Sequence, residues 1–256
     1  MKNAVNILLV ILAAVLALPL VGIAALSLSP TYGMDIFTSL HPSTRWWREL
    51  LVDPSWAVAL ANSALIGSAS SLLAMVLTLP AALAWRLEGS ASARNAMLLA
   101  GASLTFPPVV LAVGLYQTAM RVGLFDTAAG LALAHLSFTI PIAAVVLSTR
   151  FRGTPVELYL AARSLGAGRM RAAIRWLSAT QRMTLLGCFA AAVLTSISEV
   201  TVAIYLTDAS VPTIARRALA GVTRDLKPTG FAALAAWLIL LCLLVFPVAR
   251  RLSRER

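Results

Sequence analysis

The chain has 256 residues, of which 60% are hydrophobic and 12% charged, with a mean hydropathy of +0.87. A soluble domain carries about twice that charged fraction, so the composition excludes one and predicts an integral membrane protein. The formal net charge of +11 is spread between apolar runs in a way that excludes a nucleic-acid footprint as well.

Those apolar runs cover 5–28, 56–85, 97–120, 127–148, 184–206 and 230–249, each near or above the roughly 20 residues that cross a bilayer as helix. They predict an all-α fold of six transmembrane helices forming one domain over 1–256. Period-two alternation is absent, which rules out a β-barrel. With Lys and Arg assigned to alternate sides, one side collects 14: one at the N-terminus, two in 86–96, seven in 150–183 and four in the tail. The other side collects 7: two in 29–55, one at Arg121 and four in 207–228. This positive-inside bias places both termini and the 150–183 loop in the cytoplasm of a multi-pass inner (plasma) membrane protein.

The first run is longer than a signal-peptide core and is followed by a short loop and another span, so it reads as a retained helix. Residues 29–55 are too polar to span, and the pair Trp46-Trp47 suits the bilayer interface. The second run carries Ser63, Gly67 and Ser71 at four-residue spacing, positions that let another helix approach closely; Pro80 near its end predicts a kink. Phe106-Pro107-Pro108 must break or bend the third run. In the fourth, His135 has no partner carboxylate nearby in sequence and reads as a packing or interhelical hydrogen-bonding residue rather than a proton carrier. Cys188 and Cys242 read as small apolar side chains, with no disulfide or metal implied.

The loop between the fourth and fifth runs is the most informative stretch. Thr154-Pro155-Val156-Glu157 has the form of a capping box. Leu158, Ala161, Ala162 and Leu165 recur on one helical face, and Gly166 offers the left-handed residue that ends a helix. After a turn at Gly166–Gly168, Met170, Ala173, Ile174 and Leu177 repeat the spacing beside Arg169, Arg171 and Arg175. Two short amphipathic helices are therefore predicted on the cytoplasmic side. The fifth run holds one carboxylate, Glu199, and Thr195, Ser198, Glu199 and Tyr205 fall at helical spacing on one face. That face either lines a polar path or lets Glu199 reach interfacial water or an Arg at the outer end.

The string Ala161-Ala162-Arg163-Ser164-Leu165-Gly166-Ala167, with Ile174-Arg175-Trp176-Leu177 beyond it, resembles the cytoplasmic signature of binding-protein-dependent ABC importer permeases. Two positions depart from that signature: its Glu is Leu160 here and its Pro is Ser178. Asn62-Ser63, Pro107-Pro108, Ala134-His135 with Pro141, and Ser198-Glu199-Val200 extend the resemblance over most of the chain. The stretch from Ser196 to Leu206 looks like the spermidine/putrescine branch, which also includes permeases for opines, aminoethylphosphonate and ferric iron. The resemblance implies a transport subunit and not an enzyme, without metal or cofactor, forming half of a translocation path for a small polar solute. It implies two ATP-binding cassette subunits, a second permease, identical or paralogous, and an external solute-binding protein as partners. On that reading Ala161, Ala162, Leu165, Gly166, Arg169, Ile174 and Leu177 form the ATPase-coupling loop. Glu157 does not replace the missing signature Glu, since the capping box assigns it a local task. Neither lysine, Lys2 or Lys227, follows a glycine as a Walker A loop requires, so ATP hydrolysis belongs to a partner. The alternatives are an ion-gradient-driven carrier, for which intramembrane ionisable residues are few and no inverted repeat is evident, and an assembly factor without a solute.

Overall fold

The computed structural model describes residues 2–30, 42–208, 210–224 and 227–239. Among them every regular element is helical: α1 (Lys2–Ser27), α2 (Arg45–Val52), α3 (Pro54–Glu88), α4 (Ala91–Ala102) continued by one 3-10 turn at Ser103–Thr105, α5 (Pro108–Val122), α6 (Ala128–Ala134), α7 (Leu136–Arg152), α8 (Glu157–Ser164), α9 (Arg169–Thr180), α10 (Arg182–Ser198), α11 (Thr201–Leu206) and α12 (Ile214–Thr223). An apolar helix, α13, covers Thr229–Ile239. The chain divides into two compact units, one made of the residues up to Ala59 together with those from Ile214, the other of Leu60–Thr213.

The sequence predicts six transmembrane helices, with a break at the double proline; the described residues give fewer unbroken ones. Two helices, within Asn6–Ser27 and Pro54–Glu88, are long and apolar enough to cross a membrane unbroken, and up to five spans result if each bent pair counts as one. The third run turns by 105° between its two helices. Pro107 is extended there and Pro108 opens α5; neither offers an N–H, so the ladder of α4 cannot continue through them. The fourth run bends by 42° between α6 and α7, and the fifth is interrupted after Ser198. A further bent pair joins α9 to α10 at 80°. The last run is described as far as Ile239; Cys242 and the basic tail lie outside the described residues.

In the unit formed by Leu60–Thr213, α7 packs on α4 and α10, and α5 on α11. One apolar cluster joins Ala74, Ala82, Met97, Ala143, Leu147, Phe151, Tyr159, Trp176 and Cys188. Its small side chains lie on α3 and α7, and Phe151 meets Trp176 in an edge-to-face contact at 5.2 Å. Cys188 is fully buried, as a small apolar residue should be. A second cluster gathers Ile66, Ala112, Leu131, Phe138, Val202 and Leu206. In the other unit, Trp46 is fully buried and donates its indole N–H to the Ser29 carbonyl at 2.6 Å, while Trp47 donates to the Ser27 hydroxyl at 3.3 Å. A buried indole N–H needs a partner, and Trp46 finds it in the chain itself.

Candidate functional site

The two amphipathic helices of the 150–183 loop are present as α8 and α9. Gly166 has φ +83°, and the turn closes with the Ala167 N–H on the Ala162 carbonyl and the Gly166 N–H on the Arg163 carbonyl, each at 3.0 Å. This is a Schellman arrangement, which needs a left-handed residue at the glycine position. No atom lies within 4 Å of where a Gly166 side chain would begin. The glycine is there for its backbone angle, not for space.

The capping box is not formed. Helix α8 begins at Glu157, and the preceding Val156 makes no side-chain cap. The Thr154 hydroxyl instead donates to the Arg150 carbonyl at 3.1 Å and accepts from the Gln181 amide at 2.8 Å. The Thr154 side chain thus finishes α7 and anchors the start of α10. Arg86 does the same work from α3: its Nε donates to the Phe151 carbonyl at 2.7 Å and a terminal nitrogen to the Thr154 carbonyl at 2.6 Å. The Trp176 indole donates to the Pro155 carbonyl at 2.7 Å. Carbonyls at and just beyond the end of α7 are thereby satisfied by side chains from two other segments, α3 and α9.

The faces of α8 and α9 also differ from the expected ones. Tyr159, Ala162, Ala172, Ala173 and Trp176 point into the unit, whereas Ala161 and Gly166 are exposed and Leu177 is half-buried. Leu165, Met170 and Ile174 are 86%, 72% and 55% exposed. Ala162 and Ala173 therefore leave the predicted outward stripe. Leu158, Ala161 and Leu165 remain on it, together with Met170 and Ile174. Arg169 lies 3.6 Å from Glu88 with both side chains largely solvated, a pair of little energetic weight. Sequence reasoning passed over Arg86, Tyr159, Trp176 and Gln181; an aromatic at Trp176 amid arginines was the available signal for an inward anchor.

A second constellation lies inside the same unit. The His135 Nδ1 is 2.6 Å from the Ser196 hydroxyl, and the Ser70 hydroxyl is 3.0 Å from that of Thr139, which donates to the His135 carbonyl at 3.2 Å. The interhelical role expected of His135 is borne out. A side chain added at Gly67 would start 3.4 Å from Ile197 and 3.6 Å from the Ser196 hydroxyl, so the small-residue series does admit α10 at that point.

The polar face proposed along the fifth run does not exist as one helical face. Helix α10 ends at Ser198, with Glu199 extended as its C-cap. The Glu199 Oε1 accepts the N–H groups of Thr201 at 2.8 Å and Val202 at 3.1 Å, capping α11. Thr195 and Ser198 belong to α10, where their hydroxyls donate to backbone carbonyls one turn earlier, and Tyr205 belongs to α11. A carboxylate at a break satisfies backbone donors before it can sit on a continuous face. No group of three or more His, Cys, Asp or Glu side chains among the described residues is arranged to hold a metal.

No family model matches the chain. The chain is 37% identical over 157 residues to the trehalose transport system permease protein SugB of Mycobacterium tuberculosis, covering 59% of this chain and 56% of that one. It is 30% identical over 131 residues to a protein of Streptomyces antibioticus provisionally named ABC transporter permease protein ORF1, covering 51% and 57%. The chain thus spans little more than half the length of these curated relatives in the matched regions. Both names are those of transport permeases, not of enzymes. In structure, 98% of this chain matches 95% of a chain from a bacterial ABC transporter involved in the import of the acidic polysaccharide alginate, with a TM-score of 0.67 and 15% sequence identity. At that identity the likeness is one of fold.

Proposed function

We propose that the chain is a multi-pass permease subunit of an ABC importer, one transmembrane domain over 1–256, embedded in the inner membrane with both termini cytoplasmic. It forms half of a path for a small polar solute, with a second permease supplying the other half, a separate pair of ATPases the energy, and an external solute-binding protein the substrate. The observation that carries this reading is the α8–α9 pair. The segment leading into it is held by Arg86 and Gln181, α9 is tied to that segment by Trp176, and the pair offers Leu165, Met170 and Ile174 outward. A rigidly mounted apolar face of this kind transmits a push from a docked partner rather than absorbing it.

For the solute, a sugar is better supported than a polyamine. The sequence relative that is named for a substrate is named for trehalose, and neither sequence relative is named for a polyamine. The Glu199 carboxylate, on which a cation preference would rest, is occupied as a helix cap. The test is uptake by the reconstituted importer of labelled trehalose against labelled spermidine. ATP-dependent accumulation of the disaccharide supports the sugar reading; accumulation of spermidine alone returns the solute to the polyamine class.

A further inference from the structure

In the unit formed by the residues up to Ala59 and from Ile214 onward, α2, the start of α3, α12 and the start of α13 enclose a pocket of about 170 Å³. At about 30 Å³ per molecule, this is room for five or six waters. Two of its lining residues are glycines at a close helix contact. A side chain on Gly230 would begin 2.7 Å from the Ala218 carbonyl oxygen, and one on Gly221 3.3 Å from the Gly230 Cα.

Arg217 lies along one wall, 4.8 Å above the Trp56 ring and 3.1 Å from Asp53 Oδ2. Its Nε–H is buried without a partner, and so is the Thr229 hydroxyl, on a residue only 2% exposed. Glu49, Asp53 and Lys227 complete the polar lining. These two groups are not engaged by the protein, so both are offered to a hydrogen-bonding molecule that fills the pocket.

The charges of the lining decide which ligand. Two carboxylates, Glu49 and Asp53, face two cations, Arg217 and Lys227. A net anion meets the first pair and a net cation the second, so a neutral molecule is favoured. Vicinal hydroxyls fit all four chemistries at once: each accepts from Arg217 Nε–H or Lys227, donates to Glu49 or Asp53, and exchanges with Thr229 in either direction. We propose that this pocket binds a neutral polyhydroxylated ring, a single sugar unit. The assignment rests on this unit's own geometry and stands apart from the permease reading.

The test uses the full chain in lipid nanodiscs, without any ATPase, with D-glucose and trehalose as probes and glycine as the zwitterionic alternative, read by saturation-transfer NMR. We expect saturable binding of the sugars and none of glycine. Thr229→Val should weaken that binding about tenfold, the loss of one buried hydrogen bond, and Thr229→Ser should restore it. Because the hydroxyl has no protein partner, Thr229→Val removes no bond within the chain and should leave the thermal midpoint of the sugar-free chain close to that of the parent, which separates lost binding from lost folding. Glu49→Gln should also weaken the sugar. The proposal is overturned by the absence of saturable sugar binding, by binding that neither variant alters, or by glycine binding in preference to sugar.

Discussion

The indole nitrogen of Trp176 donates to the carbonyl oxygen of Pro155 at 2.7 Å, joining residues 21 positions apart across the whole α8–α9 turn. The same indole meets the Phe151 ring edge to face. One side chain therefore holds the loop both by a polar bond and by packing, and its loss should be felt in two separable parts.

Trp176→Phe keeps most of the buried ring and removes the hydrogen bond, leaving the Pro155 carbonyl without that donor. We expect a loss of about 1–3 kcal/mol. Trp176→Ala adds a cavity and should cost about 3–5 kcal/mol. Thermal unfolding of the purified chain in detergent ranks the two; equal effects of Phe and Ala would show that the indole N–H contributes nothing.

At Gly166 the prediction follows from its φ of +83° with open space around it. An ordinary side chain there costs about 1–2 kcal/mol for the left-handed backbone, and Asn, which tolerates that region, costs less. The expected order of retained coupling between nucleotide hydrolysis and transport is Gly, Asn, Ala, Val. If Asn and Val behaved alike, the backbone argument would be wrong and the site would be reporting sterics.

The His135 and Ser196 side chains form a buried pair at positions 61 apart. His135→Phe and Ser196→Ala should each destabilise the chain, and the double variant should lose less than the two added together, with a coupling of about 0.5–3 kcal/mol. Strict additivity would mean that the bond carries no energy.

Asp53 supplies a pH test in the other unit. Its carboxyl is held below the ordinary 3.8, first by hydrogen bonds from the hydroxyl and the N–H of Ser55, which outweigh the opposing effect of burial, and then by the charge and hydrogen bond of Arg217. A lowered folded-state value means that its stabilising contribution is present above the unfolded carboxyl range and is lost as pH falls through the folded value. Stability should therefore be level from pH 7 to about 5 as far as this residue is concerned, then fall on acidification, and Asp53→Asn should remove that part of the acid-side fall. Equilibrium unfolding of both chains at pH 7, 5 and 3 compares the slopes.

The elements most legible in the sequence were those set by composition and local rules. Apolar length marked α1 and α3; the double proline marked the break before α5; Gly166 marked the end of α8, because one residue type and one backbone angle decide it. The errors came where side chains chose distant partners. Thr154 has the spacing of a capping box with Glu157, yet Gln181 and the Arg150 carbonyl take its hydroxyl. Glu199 has the spacing of a continuous polar face, yet it caps α11 and ends that face. Ala162 and Ala173 share helical spacing with Leu165 and Ile174, but alanine fits either a packed interior or an open surface, and only the arrangement of neighbouring helices decides between them. Arg86 reads as an ordinary positive-inside residue; nothing local announces that it reaches carbonyls 65 and 68 residues away.

The outward face of α8 and α9 is where an ATPase is proposed to dock. Leu165 is 86% exposed at the turn between them, so Leu165→Glu should leave folding and membrane insertion unchanged while placing a charge where an apolar partner surface is proposed to dock. The decisive measurement is co-purification of the ATPase with this variant, alongside Leu51→Glu on α2, 84% exposed and outside the apolar runs, as a control for a charge introduced elsewhere on the surface. We predict that Leu165→Glu inserts normally and loses the ATPase together with solute-stimulated hydrolysis. Full retention of the ATPase with unaltered stimulation would contradict the assignment of α8 and α9 as its docking surface.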